Sequence, residues 1–544
     1  MVTTTEATQQ NTEFEQTSVM LNQIFSIITN VYRGYSQWQM ANTILVGTLA
    51  GKPVLIQGPP GVFKTSIAEF IGSLFNKPVV TLEKDFTTKA EASGYIPERE
   101  LLKYVGEIAA KIGVDADALS KNLVDGVDVN YTEFGTILGV KVEIDVLKHP
   151  KSASLGPVKD VPITVYIKTL TNLDEPQDIL GTVIDHPIML GRKPPHVEKK
   201  GRMLGADLAI LDEAFKGPML LAQIHRILNE GYYDTAIGRV EYKPLTIILA
   251  TNPLNEHFQS NVALTDAATF DRYAFSTMAA APSVQEIKEI IQKLERLKGN
   301  IKPVPIEIIY KARQAVKTVK IDDGLETFLI GLVSHLSRCY YTPTKQNRVM
   351  ESFDPFMVTK DCDLCAYKSF PCSKGNITKV RPIIVATEAL KILALINKRQ
   401  VASTPELEPA LIMSLSHRVL WNSTDFLIKY GDQYKATAAL VKEYVEQAKL
   451  LTKDFKTIRN VWVTKDIGEA MKLRNQYIDQ LIIRSILDEA IDMIKETARK
   501  KGDMTVLDQI NPQIDFSGAI SALTDRPREV ANNAPTSSKT RTSA

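Results

Sequence analysis

The sequence has almost no net charge: Lys and Arg number 65 against 63 Asp and Glu in 544 residues. A sequence-independent nucleic-acid binder needs a basic excess, so the overall balance disfavours that class and leaves only a local basic patch open. Long apolar runs are also missing. No uninterrupted stretch reaches the about 18 residues that a membrane-spanning helix requires. The first residues, to Gln16, are polar and partly acidic, without the apolar centre of a signal peptide. A cytoplasmic protein with no membrane attachment is therefore expected. Cysteine is scarce, with 4 in the chain, and all of them fall in one region. What is present, 44% apolar and 24% charged residues, is the composition of an ordinary globular protein. The length allows roughly three or four domains.

Gly58, Pro59, Pro60, Gly61, Val62, Phe63, Lys64, Thr65 and Ser66 stand between a short apolar stretch, Pro53-Val54-Leu55-Ile56, and a segment with apolar residues at helical spacing. A strand, a glycine-containing loop and a helix in that order make a phosphate-binding loop. Its backbone N–H groups and the helix N-terminus surround phosphate oxygens, Lys64 reaches the β/γ-phosphates, and the Thr65 hydroxyl holds Mg²⁺. One position departs from the pattern. Phe63 stands where glycine precedes the lysine, and its side chain restricts the backbone and would crowd a nucleotide.

Two further apolar runs, Leu208-Ala209-Ile210-Leu211 and Leu245-Thr246-Ile247-Ile248-Leu249-Ala250, end in Asp212-Glu213 and Thr251-Asn252. Uninterrupted apolar runs are the mark of parallel strands buried on both faces. Polar residues at their carboxyl ends lie where open α/β sheets bind ligands. Converging strand ends would supply ATP hydrolysis with Asp212 for Mg²⁺, Glu213 as the base that activates water, and Asn252 to orient that water or sense the γ-phosphate.

With these residues in this order the chain resembles the AAA+ ATPases, and within them the MoxR family of the helix-2-insert group. The resemblance extends from about Val54 to Leu420. It includes Gln177-Asp178-Ile179-Leu180-Gly181 before the helix-2 insert, the Leu-Asp-Glu-Ala-Phe-Lys-Gly-Pro stretch beginning at Leu211, the hairpin opened by Asn229-Glu230-Gly231-Tyr232, and Ala250-Thr251-Asn252-Pro253 at sensor 1. Phe270-Asp271-Arg272-Tyr273, Val380-Arg381-Pro382, and the segment from Ser403-Thr404-Pro405-Glu406 to His417-Arg418-Val419-Leu420 complete it. The resemblance implies that Arg272 is an arginine finger acting on a neighbouring subunit's ATP and that Arg381 reaches the γ-phosphate from the lid. Both place positive charge where negative charge develops. It also implies a ring, with a hexamer as the family expectation, and a von Willebrand factor A domain protein as a possible partner.

The expected architecture is α/β: a P-loop AAA+ core with a parallel sheet and an inserted α+β segment, followed by an all-helical lid and a helical C-terminal extension. In residue numbers this gives a disordered tail over 1–17, a core over 18–280 with the insertion at about 83–165, a lid over 281–422, an extension over 423–503, and a mostly disordered tail over 504–544. Helix is expected at 98–122. In the last helix Ile478, Leu481, Ile482, Ile486, Ala490 and Met493 are expected to form a buried face.

Cys339, Cys362, Cys365 and Cys372 lie in the lid, the second and third as a Cys-x2-Cys pair. Four thiolates complete a tetrahedral Zn²⁺ site or hold an Fe–S cluster; disulfides or free thiols remain open. A zinc closed by four thiolates has no open position and would be structural. The basic, proline-containing segment from Gly191-Arg192-Lys193-Pro194-Pro195 to Lys199-Lys200 reads as a solvated loop, with a substrate-contacting insert as the minority reading. Trp421 and Trp462 read as core or interface residues. The functional expectation is an Mg-ATP-driven machine that remodels, assembles or activates a partner complex. The alternatives are a nucleotide-binding scaffold with little hydrolysis and a DNA-translocating ATPase of the helix-2-insert group.

Overall fold

Residues 4–34, 36–85, 95–96, 127–128, 134–137, 140–147, 153–184, 196–198, 201–216, 221, 224, 226–227, 230–236, 238–242, 244–252, 272–297, 299–336, 375–376, 381–421 and 428–501 are described by a computed structural model. Along the chain, α1 (Thr4–Tyr32) and α2 (Gln37–Ala50) lead into β1 (Val54–Gln57), α3 (Lys64–Ser73) and β2 (Phe75–Asp85). Then come β3 (Phe134–Ile137), β4 (Val140–Leu147), β5 (Ala153–Pro162), β6 (Val165–Thr169), β7 (Leu208–Asp212), the hairpin β8 (Tyr232–Thr235) and β9 (Gly238–Glu241), β10 (Thr246–Thr251) and β11 (Phe275–Met278). The rest is mainly helical: α4 (Val284–Leu297), α5 (Glu307–Thr318), α6 (Asp323–Leu336), α7 (Arg381–Ile396), α8 (Thr404–Leu415), α9 (Gln433–Thr464), α10 (Ile467–Gln476) and α11 (Leu481–Lys501).

The central sheet has the order β11-β1-β10-β7-β6, and every pairing is parallel. This is the α/β P-loop architecture with helical segments following it. The residues of β1 and β10 are all buried, as are Leu208 to Leu211 of β7, which is why these strands carry unbroken apolar sequence instead of alternation. Because all five run the same way, the carboxyl ends of β1, β7 and β10 come to one rim. α2 is buried almost all round and closes with Gly51 in the left-handed conformation (φ 65°), where a Cβ would also meet the Arg313 guanidinium at 2.8 Å.

A second sheet is built on β2. β4 pairs with it in parallel, β5 pairs with it antiparallel, and β3 is antiparallel to β4. Lys77 of β2 reaches Asp207, just before β7, at 2.5 Å, and both side chains are buried. The expected helix at 98–122 lies outside the described residues, as do residues 502–544. The expected tail over 1–17 differs from what is found. α1 begins at Thr4, and Phe14, Thr17, Leu21, Ile24, Ile28 and Val31, spaced alternately by three and four residues, form its buried stripe.

The chain divides into two compact units, Met1–Lys453 and Asp454–Ala544. In the first, α4 opens with a capping box: Ser283 N–H donates to Glu286 Oε2 (2.6 Å) and Glu286 N–H to Ser283 Oγ (3.2 Å). Ser403 and Glu406 do the same for α8. In the second unit α11 buries Ile482, Ile483, Ile486, Leu487, Ala490, Ile491 and Ile494. Its buried face is centred about one position round from the expected stripe. Ile478, which precedes the helix, and Met493, at the edge of the face, are exposed. No helix among the described residues is long and apolar enough to cross a membrane.

Candidate nucleotide site

β1 ends at Gln57, and the loop that follows is pinned to the sheet: Gly58 N–H donates to the Thr251 carbonyl at the end of β10 (3.1 Å). Gly58 has no room for a side chain, since a Cβ would lie 3.0 Å from the Ala279 carbonyl oxygen and from Val62 Cγ2. Gly61 needs glycine for another reason, its φ of 79°. Pro59 is half-buried, Pro60 exposed and Val62 buried. Phe63 adopts φ 67°, ψ 22°, the left-handed conformation, and serves as the N-cap of α3. A non-glycine residue there costs about 1–2 kcal/mol. The chain accepts that cost in the loop instead of avoiding the conformation.

Lys64 is buried at the first position of α3, with its amine donating to the Gly58 carbonyl (2.7 Å) and the Pro59 carbonyl (3.4 Å). Burial pulls its pKa below the ordinary lysine value, and the charges of Asp212 and Glu213 oppose that shift. Lys64 therefore lies within the field of the two carboxylates at the end of β7. Thr65 is half-buried and Ser66 exposed in the same first turn.

Asp212 Oδ1 accepts the Glu213 N–H at 2.9 Å, which turns the chain sharply, and Glu213 itself has φ 54°. From the neighbouring strand Asn252 Nδ2 donates to Glu213 Oε1 at 3.1 Å. Lys216 Nζ lies 3.3 Å from Glu213 Oε2. The Glu213 carboxylate is thus fixed from two sides. Asn252 Oδ1 is buried and accepts no hydrogen bond from the described residues. Lys64, Asp212, Glu213 and Asn252 are brought together. Lys216, to which the sequence reading gave no role, joins them; its signal was its place three residues after Glu213.

The two arginines lie elsewhere. Arg272 is half-buried and stands three residues before Phe275, which pairs with Val54 at the start of β1, so its backbone is at the opposite rim of the sheet from the loop. Arg381 is exposed at the first position of α7, among the helices that follow the sheet. Cys339, Cys362, Cys365 and Cys372 lie outside the described residues, as do Phe270, Asp271, Pro253 and Val380.

These residues suit a nucleotide's phosphates. A buried ammonium is folded onto loop carbonyls it can leave, glycine allows close backbone approach at Gly58, and a helix N-terminus begins at Lys64. No family model matches the chain, and no curated protein matches it. Among solved structures, one from Cytophaga hutchinsonii, provisionally described as an ATPase, is similar over 81% of this chain and 98% of its own, at 12% identity and a TM-score of 0.49. At that distance nothing about activity passes from it to this chain.

Proposed function

We propose that this protein is an Mg²⁺-dependent ATPase of the ring-forming MoxR type, which uses hydrolysis to remodel or activate a partner protein complex. The observation that carries this reading is the contact between Asn252 and Glu213 across adjacent parallel strand ends, within the electrostatic reach of Lys64.

The roles follow from position. Loop N–H groups and the start of α3 receive the phosphates, and Lys64 exchanges the Gly58 and Pro59 carbonyls for β/γ-phosphate oxygens. Thr65 and Asp212 would hold Mg²⁺, which when bound neutralises phosphate charge. Glu213, held in direction by Asn252 and Lys216, takes the proton of the attacking water. The Asn252 Oδ1 acceptor is suited to orienting that water. Arg272 would serve a neighbouring copy, a role supported by its position at the far rim from its own loop, and this would require a ring; six subunits and a von Willebrand factor A domain partner rest on the family resemblance.

Steady-state Mg-ATP turnover of the purified protein beside Glu213→Gln tests the reading. Loss of a general base is worth about 10²–10⁴-fold in rate, and a fall of that size with nucleotide still bound is expected. Equal turnover in both proteins would overturn it. Nucleotide binding without turnover in either would favour a scaffold, the reading that the left-handed Phe63 suggests.

A further inference from the structure

The residues that lead into β11, the edge strand beside β1, are held by two side chains that the reaction above does not use. His417 and Arg418 form the turn after α8, and both are buried. His417 Nε2–H donates to the Tyr273 carbonyl at 2.9 Å. One Arg418 amino nitrogen donates to the carbonyls of Ala274 (2.9 Å) and Ser414 (2.8 Å), and the other donates to the Tyr273 carbonyl. Further along the strand Ser276 is hydrogen-bonded to the Tyr434 hydroxyl. Burial, and then the Arg418 charge, hold the His417 pKa well below its ordinary value.

Tyr273 directly follows Arg272. Its ring meets Phe215 edge-on, with 6.5 Å between centroids, and Phe215 is two residues beyond Glu213. With the ring packed on one side and the carbonyl held on the other, residue 273 has little backbone freedom. What holds Tyr273 therefore constrains the backbone from which the Arg272 side chain departs.

We propose that His417 and Arg418 are positioning residues for Arg272, acting through the Tyr273 carbonyl, so that the helical segment carrying α8 governs the arginine this subunit offers its neighbour. The proposal rests on the ATPase reading and on Arg272 acting between subunits. Small misplacements of a catalytic group cost up to about 100-fold in rate. Loosening this joint should lower kcat by about 10- to 100-fold and leave nucleotide affinity within about twofold.

The test uses the full chain. Arg418→Met keeps the apolar stem and removes the donors, and His417→Phe fills the same site without a hydrogen bond should the first variant fold poorly. Each is assayed for ATP turnover and nucleotide binding, alone and mixed with excess Glu213→Gln, with Arg272→Ala as the reference. A joint variant keeps a sound site of its own but presents a misplaced arginine. It should therefore regain activity beside Glu213→Gln subunits, whose Arg272 is intact, as Arg272→Ala should. Damage confined to the variant's own site would not be rescued. Rescue of Arg272→Ala without rescue of the joint variants, joint variants as active as the wild type, or rescue of none of them would each overturn the proposal while an active wild type left the ATPase reading standing. A wild type that hydrolyses no more ATP than Glu213→Gln would remove both.

Discussion

The two rims of the central sheet are built on opposite terms. At the carboxyl rim Phe63 and Glu213 hold positive φ angles, and the buried polar atoms Gln57 Nε2, Asn252 Oδ1 and Thr277 Oγ1 have no hydrogen-bond partner among the described residues. At the amino rim polar groups are mostly paired. Asp207 Oδ2 accepts from Lys77 and from Thr164 N–H (2.7 Å), and Arg313 donates to the carbonyls of Thr48, Leu49 and Leu245, each at 3.1 Å. Thr246 Oγ1 donates to the Lys52 carbonyl at 2.7 Å. The buried Asn76 Oδ1, Tyr242 hydroxyl and His417 Nδ1 are exceptions, with no partner among the described residues. Backbone strain is thus concentrated at the carboxyl rim, while the amino rim holds a buried ion pair and carbonyls gathered by Arg313; polar atoms without a partner among the described residues occur at both.

Breaking the buried ion pair of the amino rim should have the largest effect. Asp207→Ala leaves the Lys77 charge buried without its carboxylate and should destabilise the protein by about 3–5 kcal/mol, read as a lower urea midpoint. Replacing both partners by Met and Leu should recover most of that loss, since the pair's removal spares the stranded charge. A change below about 1 kcal/mol for Asp207→Ala would show that water or another group satisfies Lys77.

His417 gives a smaller effect with a defined sign. The unfolded chain takes up a proton near the ordinary histidine value, about 6.5, while the folded chain refuses it until far lower pH. Stability is therefore full above about 6.5 and falls as the pH drops below it, by up to about 1.4 kcal/mol per pH unit. His417→Phe should remove that component of the slope between about pH 6.5 and 5, measured by thermal unfolding across the range. An unchanged slope would mean that the imidazole is protonated in the fold. The smallest effect is expected at the strained rim. Phe63→Gly relieves a left-handed residue but frees the unfolded chain, so stability should change by about 1 kcal/mol or less while nucleotide binding is retained or tightened. A loss above about 2 kcal/mol would reveal packing by the Phe63 ring.

The carboxyl rim was legible in the sequence because β7 and β10 are largely apolar runs ending abruptly in Asp-Glu and Thr-Asn, and because the residues of the loop after β1 are contiguous. The amino rim was not. Lys77 and Asp207 are 130 residues apart, and His417 and Tyr273 144 apart, so only the folded sheet brings them together. β5 escaped notice because Gly156 and Pro157 interrupt it, and such residues demote a stretch from strand. α1 was read short at its start because Thr and Gln dominate that end; Phe14 and Thr17, buried on the stripe continued by Leu21 and Ile24, were the missed signal.

α1 also has a consequence for how the chain is made. Ser18 Oγ donates to the Leu395 carbonyl and Asn22 Nδ2 to the Ile396 carbonyl, across 377 and 374 residues of sequence. At about 5–20 residues per second, a ribosome delivers those acceptors roughly 20 to 75 s after the helix itself. Throughout that interval the apolar stripe of α1 must wait, shielded by α2 or by a chaperone, before its docking site on α7 exists.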